Sequence, residues 1–202
     1  AVDEDLKKYV VPCKIKELAQ KQKENSYQKN NKKITPVRIL DVCFGMGYNS
    51  AMAVSAALEE YPDCEIEVIG LEYDPEIIKK IQEVNPPISF YQHYKKLTPE
   101  ALEFNEGKIK VKIILGDARE TIKQLSENYF DAIFFDPFSP QTAPEMWQEL
   151  FFQEIHRVMN SSAIFATYSC ARMARENMAK AGLFYDDGPI VGRRGPGTIA
   201  TK

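Results

Sequence analysis

Apolar residues along this chain fall into short continuous runs separated by amphipathic stretches, and that rhythm predicts alternating strands and helices. A helix is expected over residues 4–23, followed by a polar connector from Asn25 to Lys33 that Thr35-Pro36 closes. Val37 to Cys43 reads as a buried strand, Tyr48 to Glu60 as an Ala-rich helix and Glu65 to Glu72 as a second strand, which together make a βαβ unit. Asp74-Pro75-Glu76 opens the next helix with an acid at the cap and Pro at the first position; it runs to about Val84. Residues 85–108 read as an insertion containing a helix start at Thr98-Pro99-Glu100. The alternation resumes with a strand at Ile109 to Leu115, helix 117–126, strand 130–136, helix 144–158, strand 162–168 and helix 169–181. A terminal hairpin should pair Phe184 to Val191 with Gly197 to Thr201. The fold class is α/β, a mostly parallel sheet with a C-terminal antiparallel hairpin. The expected organisation is an N-terminal helix and connector (1–36) ahead of one domain (37–202).

Composition narrows the class. With 44% hydrophobic and 27% charged residues the chain is ordinary globular material, and no run approaches the roughly 18 apolar residues of a membrane span. The start lacks a secretory signal pattern, and Cys13, Cys43, Cys64 and Cys170 form no CxxC pair, so reduced thiols in a cytoplasmic protein are expected. With only His93 and His156 available, no metal cluster is expected. The net charge of −3 is unevenly spread: residues 1–36 carry nine Lys against five acids, 37–156 ten bases against twenty-one acids, and 157–202 seven bases against three acids. Basic ends around an acidic middle offer phosphates a local footprint, although Lys-rich helices are commonly just solvated faces.

Ligands in open α/β sheets bind beyond the carboxyl ends of the strands, and four strand exits carry polar residues out of keeping with their runs. The first, Asp41 to Asn49, contains Gly45 and Gly47, which let the backbone turn tightly beside a ligand or simply make a turn. The second places Glu72 about 25 residues beyond Gly47, near the spacing at which a carboxylate meets ribose hydroxyls, while Asp74 is better read as a helix cap. Asp117, at the third, is either a cap or an acceptor for an adenine amino group. At the fourth, Asp136-Pro137-Phe138-Ser139-Pro140 ends an apolar strand in a stiff loop, and with the next helix starting only near Pro144 the Asp136 carboxylate is free to face a pocket. Trp147, Phe151, Phe152 and Ile155 lie at helical spacing and read as core.

The stretches Phe44 to Asn49 (FGMGYN), Phe130 to Pro140 (FDAIFFDPFSP), Pro144 to Trp147 (PEMW), Ala166 to Asn177 (ATYSCARMAREN) and Gly192 to Arg194 (GRR) resemble the MnmC-type methyltransferases that finish 5-methylaminomethyl-2-thiouridine at the tRNA wobble position. The resemblance covers about 160 residues. It implies a Rossmann-like class I methyltransferase using S-adenosyl-L-methionine, with Gly45 and Gly47 at the methionine end, Glu72 at the ribose, Asp117 at the adenine and Asp136 as the catalytic residue. Phe138, Arg193 and Arg194 are then the candidates for holding tRNA. Cys43 departs from the glycine many methyltransferases have there. A stand-alone methyltransferase without a fused flavin oxidase is expected, with a trimmed N-terminal part. The rival readings are an aminopropyltransferase of the spermidine synthase kind, which shares the fold but lacks the DPFSP-to-PEMW run, and a non-catalytic nucleotide-binding module.

Overall fold

A computed structural model describes residues 6–27, 34–192 and 194–202. Its eight strands are β1 (Val37–Val42), β2 (Ile66–Glu72), β3 (Glu103–Glu106), β4 (Ile109–Leu115), β5 (Phe130–Phe135), β6 (Met159–Thr167), β7 (Phe184–Asp187) and β8 (Thr198–Thr201). They form one sheet in the order β3-β4-β2-β1-β5-β6-β8-β7. The five central strands are parallel, and β3, β8 and β7 are antiparallel to their neighbours. The chain runs outward from β1 through β2 to β4, then returns to the other side of β1 as β5. The order therefore reverses at β1 and β5, where an open α/β sheet leaves its crevice.

Both faces of the sheet are covered. On one, α1 (Ile15–Tyr27) and α2 (Tyr48–Glu60) pack with the short helix α4 (Tyr91–Tyr94) over Ile39, Val68, Val111 and Phe134. On the other, α6 (Glu149–Val158) and α7 (Arg172–Lys180) pack over Leu40, Ile133, Phe135 and Phe165. The two central strands β1 and β5 are buried on both sides over most of their length, which is why their sequences are nearly continuous apolar runs, whereas β4 alternates buried residues with exposed Lys110 and Lys112. The N-terminal segment belongs to the same packing: Tyr9, Val10, Cys13, Ile15 and Ala19 are all in the first of these clusters. Among the described residues no helix is long and apolar enough to cross a membrane.

Several local expectations are corrected. The helix expected over 4–23 is instead a π-helical turn at Leu6–Val10 followed by α1 from Ile15. Pro12 has no amide to donate and Lys14 takes φ 54°, so the helix restarts one turn later. The helix start at Thr98 is absent: its hydroxyl accepts from the amides of Glu100 and Ala101 at 3.3 and 3.1 Å and closes a tight turn. The segment after it is β3, an edge strand turned back onto β4 through Gly107 at φ 57°. Helix 117–126 is divided into α5 (Ala118–Thr121) and a 3-10 turn at Ile122–Gln124, and helix 144–158 into a 3-10 turn at Pro144–Trp147 and α6. The terminal hairpin is present but shorter than expected, four residues on each strand.

One glycine binds the sheet to the loop above it. A Cβ on Gly70 of β2 would stand 2.4 Å from Cδ2 of Phe44, whose buried ring stacks on Tyr94 at 6.1 Å between centroids. Gly70→Ala should therefore displace Phe44 and cost about 1–3 kcal/mol, the usual range for overpacking. Urea denaturation checks this; a loss under about 0.5 kcal/mol would mean that Phe44 yields without penalty.

Candidate active site

The loop after β1 is built on left-handed residues. Cys43, Gly45 and Gly47 take φ of 64°, 59° and 75°, and the Gly47 amide donates to the Phe44 carbonyl at 2.9 Å before α2 begins. The two glycines serve different ends. A Cβ on Gly45 would find only the Cys43 carbonyl, at 3.9 Å, so its surface is open to the cleft. A Cβ on Gly47 would strike the rings of Phe44 and Tyr94 at 2.5 and 2.8 Å, and Gly47 lies outside the cleft wall. Cys43 holds the same backbone conformation with a side chain, a strain of order 1 kcal/mol.

Glu72 ends β2 and fastens this loop. One carboxylate oxygen accepts from the Gly45 amide at 2.7 Å, and the other accepts from the amides of Tyr73 and Asp74 at 2.8 and 2.9 Å. Asp74 caps α3 (Pro75–Lys79) as expected, accepting from the Glu76 amide at 2.8 Å. Asp117 is likewise a cap, accepting from the Arg119 amide at 2.9 Å, and it also lines the cleft. The Arg119 guanidinium grips the same carboxylate and holds its pKa below the usual carboxylate range.

Asp136 follows β5, and its amide donates to the Val42 carbonyl at 3.2 Å, so it stands against the root of the glycine loop. Oδ1 accepts from the Tyr9 hydroxyl at 2.6 Å and Oδ2 from the Asn49 side-chain amide at 3.2 Å. The loop beyond is pinned by its own carbonyls: that of Pro137 accepts from the Tyr168 hydroxyl and that of Phe138 from the Trp147 indole N–H, both at 2.9 Å. Trp147 is fully buried, as its spacing predicted, while the Phe138 ring is 78% exposed at the cleft mouth. A single cleft of about 1000 Å³ is lined by Gly45, Glu72, Asp117, Asp136, Phe138 and Tyr168 among others, and so joins all four strand exits. Arg194 is exposed and is not part of this wall, and Arg193 lies outside the described residues.

Behind the loop lies Asp41, fully buried in β1, with no hydrogen-bond partner on either carboxylate oxygen among the described residues. Burial pushes its carboxyl up to about 8; Ser50, whose hydroxyl donates to the Gly47 carbonyl at 3.4 Å, opposes the shift and the charge of Asp136 adds to it. Sequence reasoning gave no role to Asp41, Asn49, Tyr168 or Tyr9. The first two lie inside the glycine stretch and Tyr168 inside the TYS run, so proximity could have flagged them. Tyr9 meets Asp136 across 127 residues and left no local signal.

A glycine turn after the first parallel strand, with acids at the ends of the next strands around one cleft, defines a nucleotide-cofactor site of the Rossmann-like kind. Residues 80–202 match a family described as S-adenosyl-L-methionine-dependent methyltransferase. The chain belongs to that family, and S-adenosyl-L-methionine is its cofactor. It is 29% identical over 169 residues to a tRNA 5-methylaminomethyl-2-thiouridine biosynthesis bifunctional protein MnmC of Leptospira borgpetersenii, covering 79% of this chain and 26% of that protein. An uncharacterised protein of Methanocaldococcus jannaschii is 26% identical across the whole chain and 52% of its own length. The crystal structure of MnmC2 from Aquifex aeolicus superposes with a TM-score of 0.80 at 29% identity, over 100% of this chain and 61% of that one. The chain thus spans about a quarter of the curated MnmC relative from Leptospira.

The Asp41 shift has a consequence for stability. In the unfolded chain the group ionises near 3.9, so the folded protein keeps a proton that the unfolded chain has released. Its contribution is fully present below about pH 4 and is lost as pH rises to about 8. Asp41→Asn, which cannot ionise, should remove that slope between pH 5 and 8 in urea denaturation. Parallel curves for the variant and the wild type would mean that Asp41 is ionised in the folded state.

Proposed function

We propose that this chain methylates the exocyclic amine of 5-aminomethyl-2-thiouridine at the tRNA wobble position, giving 5-methylaminomethyl-2-thiouridine. The observation that carries the reading is Asp136: a carboxylate on a rigid loop, in the same cleft as the glycine turn and Glu72, beside the exposed ring of Phe138. The residues present fit the cofactor. Gly45 leaves its surface open, Glu72 keeps acceptor capacity beyond its three amides, and Asp117 holds its place through Arg119. In this reading Gly45 faces the methionine portion, Glu72 the ribose hydroxyls and Asp117 the adenine amino group, while Gly47 permits the close packing that shapes the turn.

Bound there, S-adenosyl-L-methionine supplies a methyl group already activated on a sulfonium. The protein's task is then to align an amine whose nitrogen lone pair is free. Asp136 accepts an N–H of the amine and turns the lone pair toward the methyl group, and it receives or relays the proton that nitrogen must lose. Phe138 offers a face on which a base splayed out of the anticodon loop can stack. Arg193 and Arg194, in the basic C-terminal part, are assigned to neighbouring phosphates, and the names of the MnmC relatives support tRNA as the substrate.

Asp136→Ala should lower single-turnover methylation of hypomodified tRNA by about 10² to 10⁴ while calorimetric affinity for the cofactor stays near wild type. Asp136→Asn separates the roles, since it keeps a carbonyl acceptor but cannot take a proton; retained activity assigns orientation alone. A wild-type rate for Asp136→Ala at saturating cofactor would remove Asp136 from the mechanism. Glu72→Ala should weaken the cofactor by about 1.5–3 kcal/mol. Because it also frees the Gly45, Tyr73 and Asp74 amides, stability should fall as well, contrary to the purely ribose-binding role read from sequence. A fall in stability with unchanged affinity would make Glu72 a structural acid only.

A further inference from the structure

Asp136 is held from two directions, and neither holder belongs to its own strand or loop. We infer that Tyr9, carried by the N-terminal segment, and Asn49, carried by the first turn of α2, are positioning residues that fix the Asp136 carboxylate for reaction. This rests on the assignment of Asp136 to the methyl-accepting amine.

The geometry is specific. The Asp136 backbone is anchored by its amide bond to Val42, which leaves the side-chain torsions as the remaining freedom. The Tyr9 hydroxyl on Oδ1 at 2.6 Å and the Asn49 amide on Oδ2 at 3.2 Å each remove one of them, because rotating the carboxylate breaks both bonds. Both donors are themselves immobilised. Tyr9 is 1% exposed, its ring 5.8 Å from that of Phe134, and Asn49 is buried as the second residue of α2, two positions after Gly47. A carboxylate has about four acceptor positions, so one donor on each oxygen leaves a lone pair on each for a ligand. Asp136 lines the cleft with Asn49 beside it, whereas Tyr9 is outside the wall and approaches from behind. Tyr9 therefore supports the carboxylate from outside the cleft and Asn49 from beside it in the cleft wall, and one lone pair on each oxygen is left for substrate.

It also ties three parts of the chain to one atom group. Asn49 sits in the first turn of α2, two residues beyond Gly47, so the cofactor loop and the Asp136 carboxylate share a support. Tyr9 makes residues 6–10 part of the active centre, although sequence reading placed them in an N-terminal helix ahead of the catalytic domain.

The test is a mutant cycle in single-turnover methylation of hypomodified tRNA, with melting temperature and calorimetric affinity for S-adenosyl-L-homocysteine measured on every variant. Tyr9→Phe keeps the ring and removes only the hydroxyl; it should lower the methylation rate about 10- to 100-fold, with tRNA KM and cofactor affinity within about twofold of wild type. Asn49→Ala should act in the same direction, more weakly, in keeping with its longer bond. The deciding measurement is made in the Asp136→Ala background, where Tyr9→Phe should have no further effect, since a residue acting through Asp136 has nothing left to position. A rate unchanged by Tyr9→Phe, or a full Tyr9→Phe penalty that persists without Asp136, overturns the inference; the second outcome would give Tyr9 a structural role instead. Should wild-type protein fail to methylate this tRNA, the substrate assignment fails, and the cycle is then run on the cofactor-dependent methylation of the free nucleoside 5-aminomethyl-2-thiouridine, where the same two outcomes decide.

Discussion

The site depends on one contact, the parallel pairing of β1 with β5. Val42 and Phe135 are register partners at the ends of these strands, and the pairing continues one step further as the Asp136 amide donates to the Val42 carbonyl. Two segments more than ninety residues apart are thereby brought to one point: the turn that receives a cofactor and the carboxylate that addresses a substrate. The order of the sheet makes this unavoidable. Once β2 and β4 have been laid on one side of β1, β5 must return to the other, and the loops that leave β1 and β5 diverge around a crevice. The cleft is a consequence of strand order, and the side chains that decorate it are secondary to that.

Asp41, Glu72, Asp117 and Asp136 gather at the ends of the parallel strands, with Asp74 and Glu145 also in the cleft lining, and an uncompensated cluster of like charges would be costly. Each of the first four is dealt with by different chemistry. Burial pushes the Asp41 carboxyl up to about 8 and so favours its neutral form. Glu72 spreads its charge over three backbone amides, and Asp117 is paired with a guanidinium and an amide. Among the described residues the Asp136 carboxylate receives two neutral donors. A neutral donor steadies a carboxylate without cancelling its charge, so among the four Asp136 retains the field that a cationic cofactor and a polar amine would meet.

Much of this was legible in the chain itself. The strands write themselves as apolar runs, continuous in β1 and β5 near their ends and interrupted by Lys110 and Lys112 in β4, and the acid at the end of a run marks the strand's exit; Glu72, Asp117 and Asp136 were all found that way. Caps were legible for the same reason, since Asp74-Pro75-Glu76 encodes a local hydrogen bond that needs no distant partner. What failed was structure decided by competition between local and distant partners. The Thr98 side chain has the chemistry of either a cap or a turn, and β3 exists only because β4 offers it an edge. The break near Pro12 was legible in principle, but the amphipathic pattern on either side outweighed a single residue.

The least legible feature is the one that closes the site. Nothing near Tyr9 distinguishes it from any aromatic on an apolar face, and its burial against Phe134 would satisfy that reading completely. A phenol, however, differs from a phenyl ring by a hydroxyl that must find a partner when buried, and burying it without one costs more than the bond gains. A fully buried tyrosine is therefore a reason to look for an acceptor within reach, and Tyr9 has one, whereas the equally buried Tyr94 hydroxyl has none among the described residues. Asp136 has the complementary requirement, a carboxylate at a strand exit with no helix of its own to cap. These two unmet demands, written far apart in the sequence, are answered by each other at 2.6 Å. The sheet that brings β5 beside β1 is what allows them to meet, so the same topology that opens the cleft also supplies the rear support for its central carboxylate.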